Sequence, residues 1–182
     1  MVVSEIRQCN YWSIDNNILI TLNHFPSDIF QSLWLKIAEF GQSQHWCICE
    51  PVVSECHIPE WQKWFKEHYE IVTPIDELYV KYVSRLQLEL EENEMPLTDP
   101  SSTKNMADPF IIALALMKEQ RDLRDLRKRT NSSHCGVLSL EAPKPSKINI
   151  PSVCQYYDVN CLNLNDYMRE QGWSFSLVIS SP

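Results

Sequence analysis

The chain has 182 residues, 44% of them hydrophobic and 22% charged, and a net charge of −8. Those proportions suit one domain with a substantial core and exclude general disorder. The acidic balance excludes broad coating of nucleic acid through phosphate neutralisation. Three glycines, Gly41, Gly136 and Gly172, are too few for a Gly-rich phosphate-cradling loop.

The longest uninterrupted apolar run, Phe110 to Met117, is too short to span a bilayer, and the N-terminus lacks the pattern of a signal peptide, so a cytoplasmic protein is expected. The seven cysteines are odd in number and irregularly spaced, which reads as reduced, mostly buried thiols.

Taken in order, Tyr11-Trp-Ser-Ile is a β-prone run that ends at Asp15, followed by Asn16, Asn17 and an apolar stretch: a strand, a tight turn and a helix start. A helix is predicted from Phe25-Pro26-Ser27 to about Phe40, with Leu33, Trp34, Ile37 and Phe40 on one face and Gly41 as its C-terminal cap. His45 to Cys49 is a second strand, and Pro51 opens a short helix containing Glu55. Pro59 to His68 carries Trp61, Trp64 and Phe65 on a further helix. Thr73, as N-cap before Pro74, opens a long helix to Glu92, with Leu78, Tyr82, Leu86 and Leu90 on its inner face.

Residues 91–105 read as a polar loop. Ala107 to Met117 is then a helix apolar nearly all round, hence buried between layers, with Asp108 preceding Pro109 at the first helical position. Lys118 to Arg129 holds six basic and three acidic residues. It reads either as a solvated helix face or as a contact surface for RNA or an acidic partner. Val137 to Glu141 is a third strand, Ile150 to Tyr157 a helix, Asn160 to Leu162 a short strand, and Asn165 to Gln171 a helix closed by Gly172. Helices alternating with short strands predict an α/β class fold, a three-layer α/β/α sandwich around a central, mainly parallel sheet.

In such a sheet the carboxyl ends of all strands share one edge, where ligands bind. Asp15, Glu55, Asp108 and Glu141 fall at strand ends or helix starts, so the topology can bring them to one crevice. Two carboxylates about 5 Å apart repel by roughly 3 kcal/mol at an effective dielectric near 20. A cluster of four therefore calls for protonation or a divalent cation, and oxygen donors without a convergent histidine set favour Mg²⁺ or Mn²⁺. The simpler reading of each acid is a helix cap or a turn residue.

The segments Ile14-Asp15-Asn16-Asn17-Ile18-Leu19 and Ala107-Asp108-Pro109-Phe110-Ile111-Ile112-Ala113 resemble the first and third acidic motifs of PIN-domain ribonucleases. Ile48 through Glu55 resembles the strand and helix that bear the second acid. Val137 to Glu141, Lys147 to Cys154 and the Asn163 to Trp173 ending resemble an uncharacterised PIN-like family related to VapC-type toxins. Asn16 stands where the PIN family usually has Thr or Ser.

The resemblance implies a PIN-type fold and a metal-dependent endoribonuclease, the toxin of a toxin–antitoxin pair, in which metal-activated water attacks phosphorus to leave a 5′-phosphate and a 3′-hydroxyl. Asp15, Glu55, Asp108 and Glu141 would be the metal ligands, and Asn17 would orient Asp15 or the water. RNA is then the substrate, an antitoxin protein the partner, and a homodimer is compatible with the family. A second reading keeps the fold as a binding module without catalysis. A third places structural zinc on His45, Cys47 and Cys49 with Cys56 and His57 near, although this spacing departs from the usual zinc pair.

Overall fold

Strand β1 (Tyr11–Ile14) lies in the middle of a five-stranded sheet, with β2 (Trp46–Cys49) and then β3 (Val72–Thr73) on one side and β6 (Cys135–Leu138) and then β7 (Cys161–Leu162) on the other. All four neighbouring pairs are parallel. The computed structural model describes residues 9–43, 45–97, 107–130, 132, 134–144 and 148–174. Every residue of β2 and β6 is buried, as expected of parallel strands covered on both faces.

Side-chain alternation sorts the helices into two layers. Trp12 and Trp46 point to one face, where both rings meet Tyr167 of α8 (Leu164–Glu170), and Trp46 Nε1 donates to its hydroxyl at 2.9 Å. The same layer contains α1 (Asn16–Leu22), α2 (Gln31–Gln42) and α4 (Pro59–Glu67), joined by the Trp34–Trp61 ring contact and by Trp61 Nε1 donating to the Leu19 carbonyl. Trp173 closes the layer against Phe40 and Tyr167, so all six tryptophans of the chain lie on this side. Only glycine fits at position 136, because a Cβ there would lie 2.3 Å from the buried ring of Trp12.

Tyr11, Ser13 and Cys49 point to the opposite face. There α6 (Asp108–Lys118) packs over the sheet, flanked by α5 (Glu77–Glu92) and α7 (Ile150–Tyr156). Ser13 Oγ donates to the Ile111 carbonyl at 2.8 Å, and Tyr79 of α5 donates to the Phe110 carbonyl at 2.6 Å. Helix α6 is buried nearly all round, as its sequence predicts.

The three-layer α/β/α prediction matches this architecture. Several boundaries move for legible reasons. Helix α2 starts at Gln31, after turns at 23–30, and Gly41 lies inside it because the absent side chain lets the Trp64 ring approach: a Cβ would meet that ring at 3.0 Å. Thr73 belongs to β3, and the cap of α5 is Asp76, whose carboxylate accepts from Tyr79 N at 2.7 Å. That shift exposes Leu78 and buries Tyr79.

The segment after α6 is not a helix. It is an antiparallel hairpin of β4 (Arg121–Asp122) and β5 (Asp125–Arg129). The alternating charges suited an i,i+3 helix pattern, but Arg121 is drawn inside to Glu119 at 2.6 Å, with both side chains almost completely buried. Residues 98–105 of the expected polar loop and Lys147 lie outside the described residues. Among the described residues no helix is long and apolar enough to cross a membrane.

Candidate functional site

The strand order reverses direction at β1: the chain moves outward from it through β2 and β3, then returns to place β6 on its other side. In open α/β sheets the crevice beyond the carboxyl ends of two such strands is the usual ligand site. Asp15 follows β1 directly, and its N–H donates to the Leu138 carbonyl at 3.0 Å, which extends the β1–β6 register so that Asp15 stands opposite Ser139. Asp15 shares the parity of Tyr11 and Ser13 and so belongs to the α6 side of the sheet.

Around Asp15 the polar groups form a tight set. Ser139 Oγ donates to Asp15 Oδ2 at 2.8 Å, while the Asn17 N–H caps Oδ1 at a long 3.4 Å. Asn17 spans from α1 to the exit of β6: its Oδ1 accepts from Leu140 N at 3.0 Å and its Nδ2 lies 3.4 Å from Ser139 Oγ. The Glu141 N–H donates to the same hydroxyl at 3.2 Å. Asp15 is therefore both an N-cap of α1 and a buried carboxylate, only 7% exposed. Burial pushes its pKa up to about 6, against the lowering effect of the Ser139 and Asn17 hydrogen bonds, and the neighbouring Glu141 charge raises it further. Asn16 Oδ1 is also buried and has no hydrogen-bond partner among the described residues.

Asp108 reaches this edge on α6. The Ser13–Ile111 bond ties the two elements, and α6 runs antiparallel to β1, as the cation–π contact of Lys118 with Tyr11 at the start of the strand shows. Two residues up the strand from Ser13 lies Asp15, and three residues back along the helix from Ile111 lies Asp108. Both buried carboxylates thus sit at the same edge on the same face. Asp108 is the first helical residue and Pro109 the second, one position later than the sequence suggested, which sets the carboxylate at the positive end of the helix dipole.

The two glutamates occupy other roles in the geometry. Glu55, at the end of α3 (Glu50–Glu55), accepts from Ala107 N at 3.1 Å. Glu141 Oε2 accepts from Ile150 N, at the start of α7, at 3.1 Å. Ser139, 1% exposed and in contact with Asp15, was missed in the sequence, where it reads as an ordinary strand residue. Its signal is register: it lies one residue beyond a strand whose end is level with that of β1.

All these donors are oxygens, which suits a hard divalent cation. Among the described residues no three His, Cys, Asp or Glu side chains are grouped closely enough to hold an ion. The histidine and cysteines proposed for zinc do not converge either. Cys47 donates to the Trp12 carbonyl at 3.3 Å, and burial raises the pKa of Cys49 to about 12.

A family model described as a domain of unknown function, DUF4411, matches residues 12–123, more than half of the chain. The chain belongs to the DUF4411 family. The DUF4411 span contains Asp15, Asn17, Glu55 and Asp108, and ends within the hairpin, before Ser139 and Glu141. No curated protein matches this DUF4411 chain.

Proposed function

We propose that this chain is a cytoplasmic Mg²⁺- or Mn²⁺-dependent endoribonuclease of PIN type, acting as the toxin of a toxin–antitoxin pair and held in check by an antitoxin protein. The observation that carries the reading is the placement of two buried carboxylates, Asp15 and Asp108, toward one edge and one face of the sheet at its topological switch point. The high proton affinity of Asp15 supports it, since a buried carboxylate without a countercharge is a poor structural element and a ready cation ligand. The resemblance of the Asp15 and Asp108 segments to PIN motifs supplies the reaction class.

Asp15 and Asp108 would hold the ion, with Glu141 adding negative potential beside Asp15. Bound there, a divalent cation stabilises charge on phosphate oxygens and makes water a competent nucleophile near neutral pH. The chain's own residues orient the site. Ser139 fixes Asp15 through Oδ2, and the Asn17 N–H caps Oδ1 at a long 3.4 Å. Asn17 locks the β6 exit against α1, so the spacing between Asp15 and Glu141 is preset.

A second reading is a PIN-like binding module without catalysis, acting through protein or RNA contacts. Thermal unfolding against Mn²⁺ separates the two, because it needs no knowledge of the RNA. At 100 times its Kd an ion stabilises the native state by roughly 2.7 kcal/mol, a shift of a few degrees for a domain of this size. The wild-type protein should show that shift, and Asp15→Asn and Asp108→Asn should lose it together with chelator-sensitive cleavage of RNA. A wild type that ignores Mn²⁺ would favour the binding module.

A further inference from the structure

Three glutamates near the carboxyl edge each hold a backbone N–H just before or at the start of a helix of the α6 layer. Glu50, the first residue of α3, accepts from Ile75 N before α5 at 3.1 Å; Glu55 accepts from Ala107 N before α6; and Glu141 accepts from Ile150 N at the start of α7. The first N–H groups of a helix have no partner within it, so an acceptor supplied from another element fixes where the helix begins. Ala107 itself provides no side-chain cap to α6, and Pro109 has no N–H to offer. Its Glu55 bond is therefore a specific tie between α3 and the start of α6, and it falls one residue before Asp108.

We infer that Glu55 is a positioning residue: its carboxylate places Asp108 for the metal site by holding the Ala107 amide, rather than binding the ion itself. The assignment rests on the metal-nuclease reading above and departs from the ligand role that the sequence resemblance gives Glu55. It follows from position: the Ala107 amide that Glu55 holds belongs to the residue immediately before Asp108, at the start of α6.

Glutamine separates the two roles. Its side-chain carbonyl still accepts from Ala107 N–H but is a weak ligand for a hard cation, whereas alanine removes the acceptor. Mn²⁺ titrations followed by thermal unfolding are compared for wild type, Glu55→Gln, Glu55→Ala and Asp15→Asn. Amide hydrogen exchange at the start of α6 is followed in chelator. Glu55→Gln should keep the wild-type Mn²⁺ dependence and protection, Glu55→Ala should need about tenfold more Mn²⁺ and exchange faster at the start of α6, and Asp15→Asn should show no response.

A Glu55→Gln protein as unresponsive to Mn²⁺ as Asp15→Asn, with its α6 amides still protected, would make Glu55 a ligand and overturn the inference alone. Unchanged exchange and unchanged Mn²⁺ dependence in Glu55→Ala would also overturn it. No Mn²⁺ response in the wild type would remove the metal-site reading and the positioning role with it.

Discussion

Asp15 shows how burying one carboxylate can weaken the fold that holds it. A carboxylate whose folded-state pKa lies above its ordinary value favours folding fully below that ordinary value, and the advantage disappears as pH rises through the folded value. With Asp15 raised from 3.8 to about 6, the metal-free protein should lose stability relative to Asp15→Asn between about pH 4 and 6. At pH 7 the difference should reach on the order of 3 kcal/mol. Denaturant unfolding of both proteins in chelator across that range measures it; parallel curves would place Asp15 in a far more solvated setting. Gly136 gives a second residue-scale test. Its added Cβ would fall 2.3 to 2.9 Å from three atoms of the Trp12 ring, and that ring is 1% exposed and cannot retreat. Gly136→Ala should cost about 3 kcal/mol or more, at the upper end for an overpacked core, as read from the unfolding midpoint.

At the scale of elements, α6 and the hairpin after it show what sequence patterns can and cannot reveal. The apolar circumference of α6 was legible because a helix without a polar face has to be buried, and with it came Asp108 as the lone acid at its start. The hairpin was not legible. Arg121, Arg124 and Arg127 repeat at a three-residue spacing that suits a helix face, and only the pairing of Arg121 with buried Glu119 reveals the turn of the chain. Glu119 Oε1 also accepts from Cys135 N at the beginning of β6, which fixes the hairpin at the amino edge of the sheet. The start of α6 lies about 16 Å away along the helix axis. Arg124 and Arg127 also face their own partners, Asp122 and Asp125. Replacing Arg124, Arg127 and Lys128 with glutamine should therefore leave RNA affinity within about twofold and its salt dependence unchanged. A salt slope reduced by about three would instead mean that the hairpin grips phosphates.

For the molecule as a whole, the parallel α/β/α arrangement was readable from alternating elements, and the common edge of Asp15 and Asp108 followed from it. The backbone ties of the glutamates were not. Helix caps and ion ligands draw on the same residue types at the same places, and the hydrogen bonds of Glu55 and Glu141 to Ala107 and Ile150 are visible only in the fold. Ser139 was hidden for a related reason: its importance depends on register between strands far apart in sequence.

The segregation of the six tryptophans has a practical meaning for anyone following this protein in solution. Its intrinsic fluorescence is a one-sided gauge: the emission originates from Trp34 of α2, Trp61 and Trp64 of α4, Trp173 and the strand residues Trp12 and Trp46, while the opposite layer is represented by tyrosines such as Tyr79, Tyr82 and Tyr157. If the two layers melt together, the fluorescence and circular dichroism transitions coincide. If they separate, the optical signal reports the half of the molecule that does not carry Asp108.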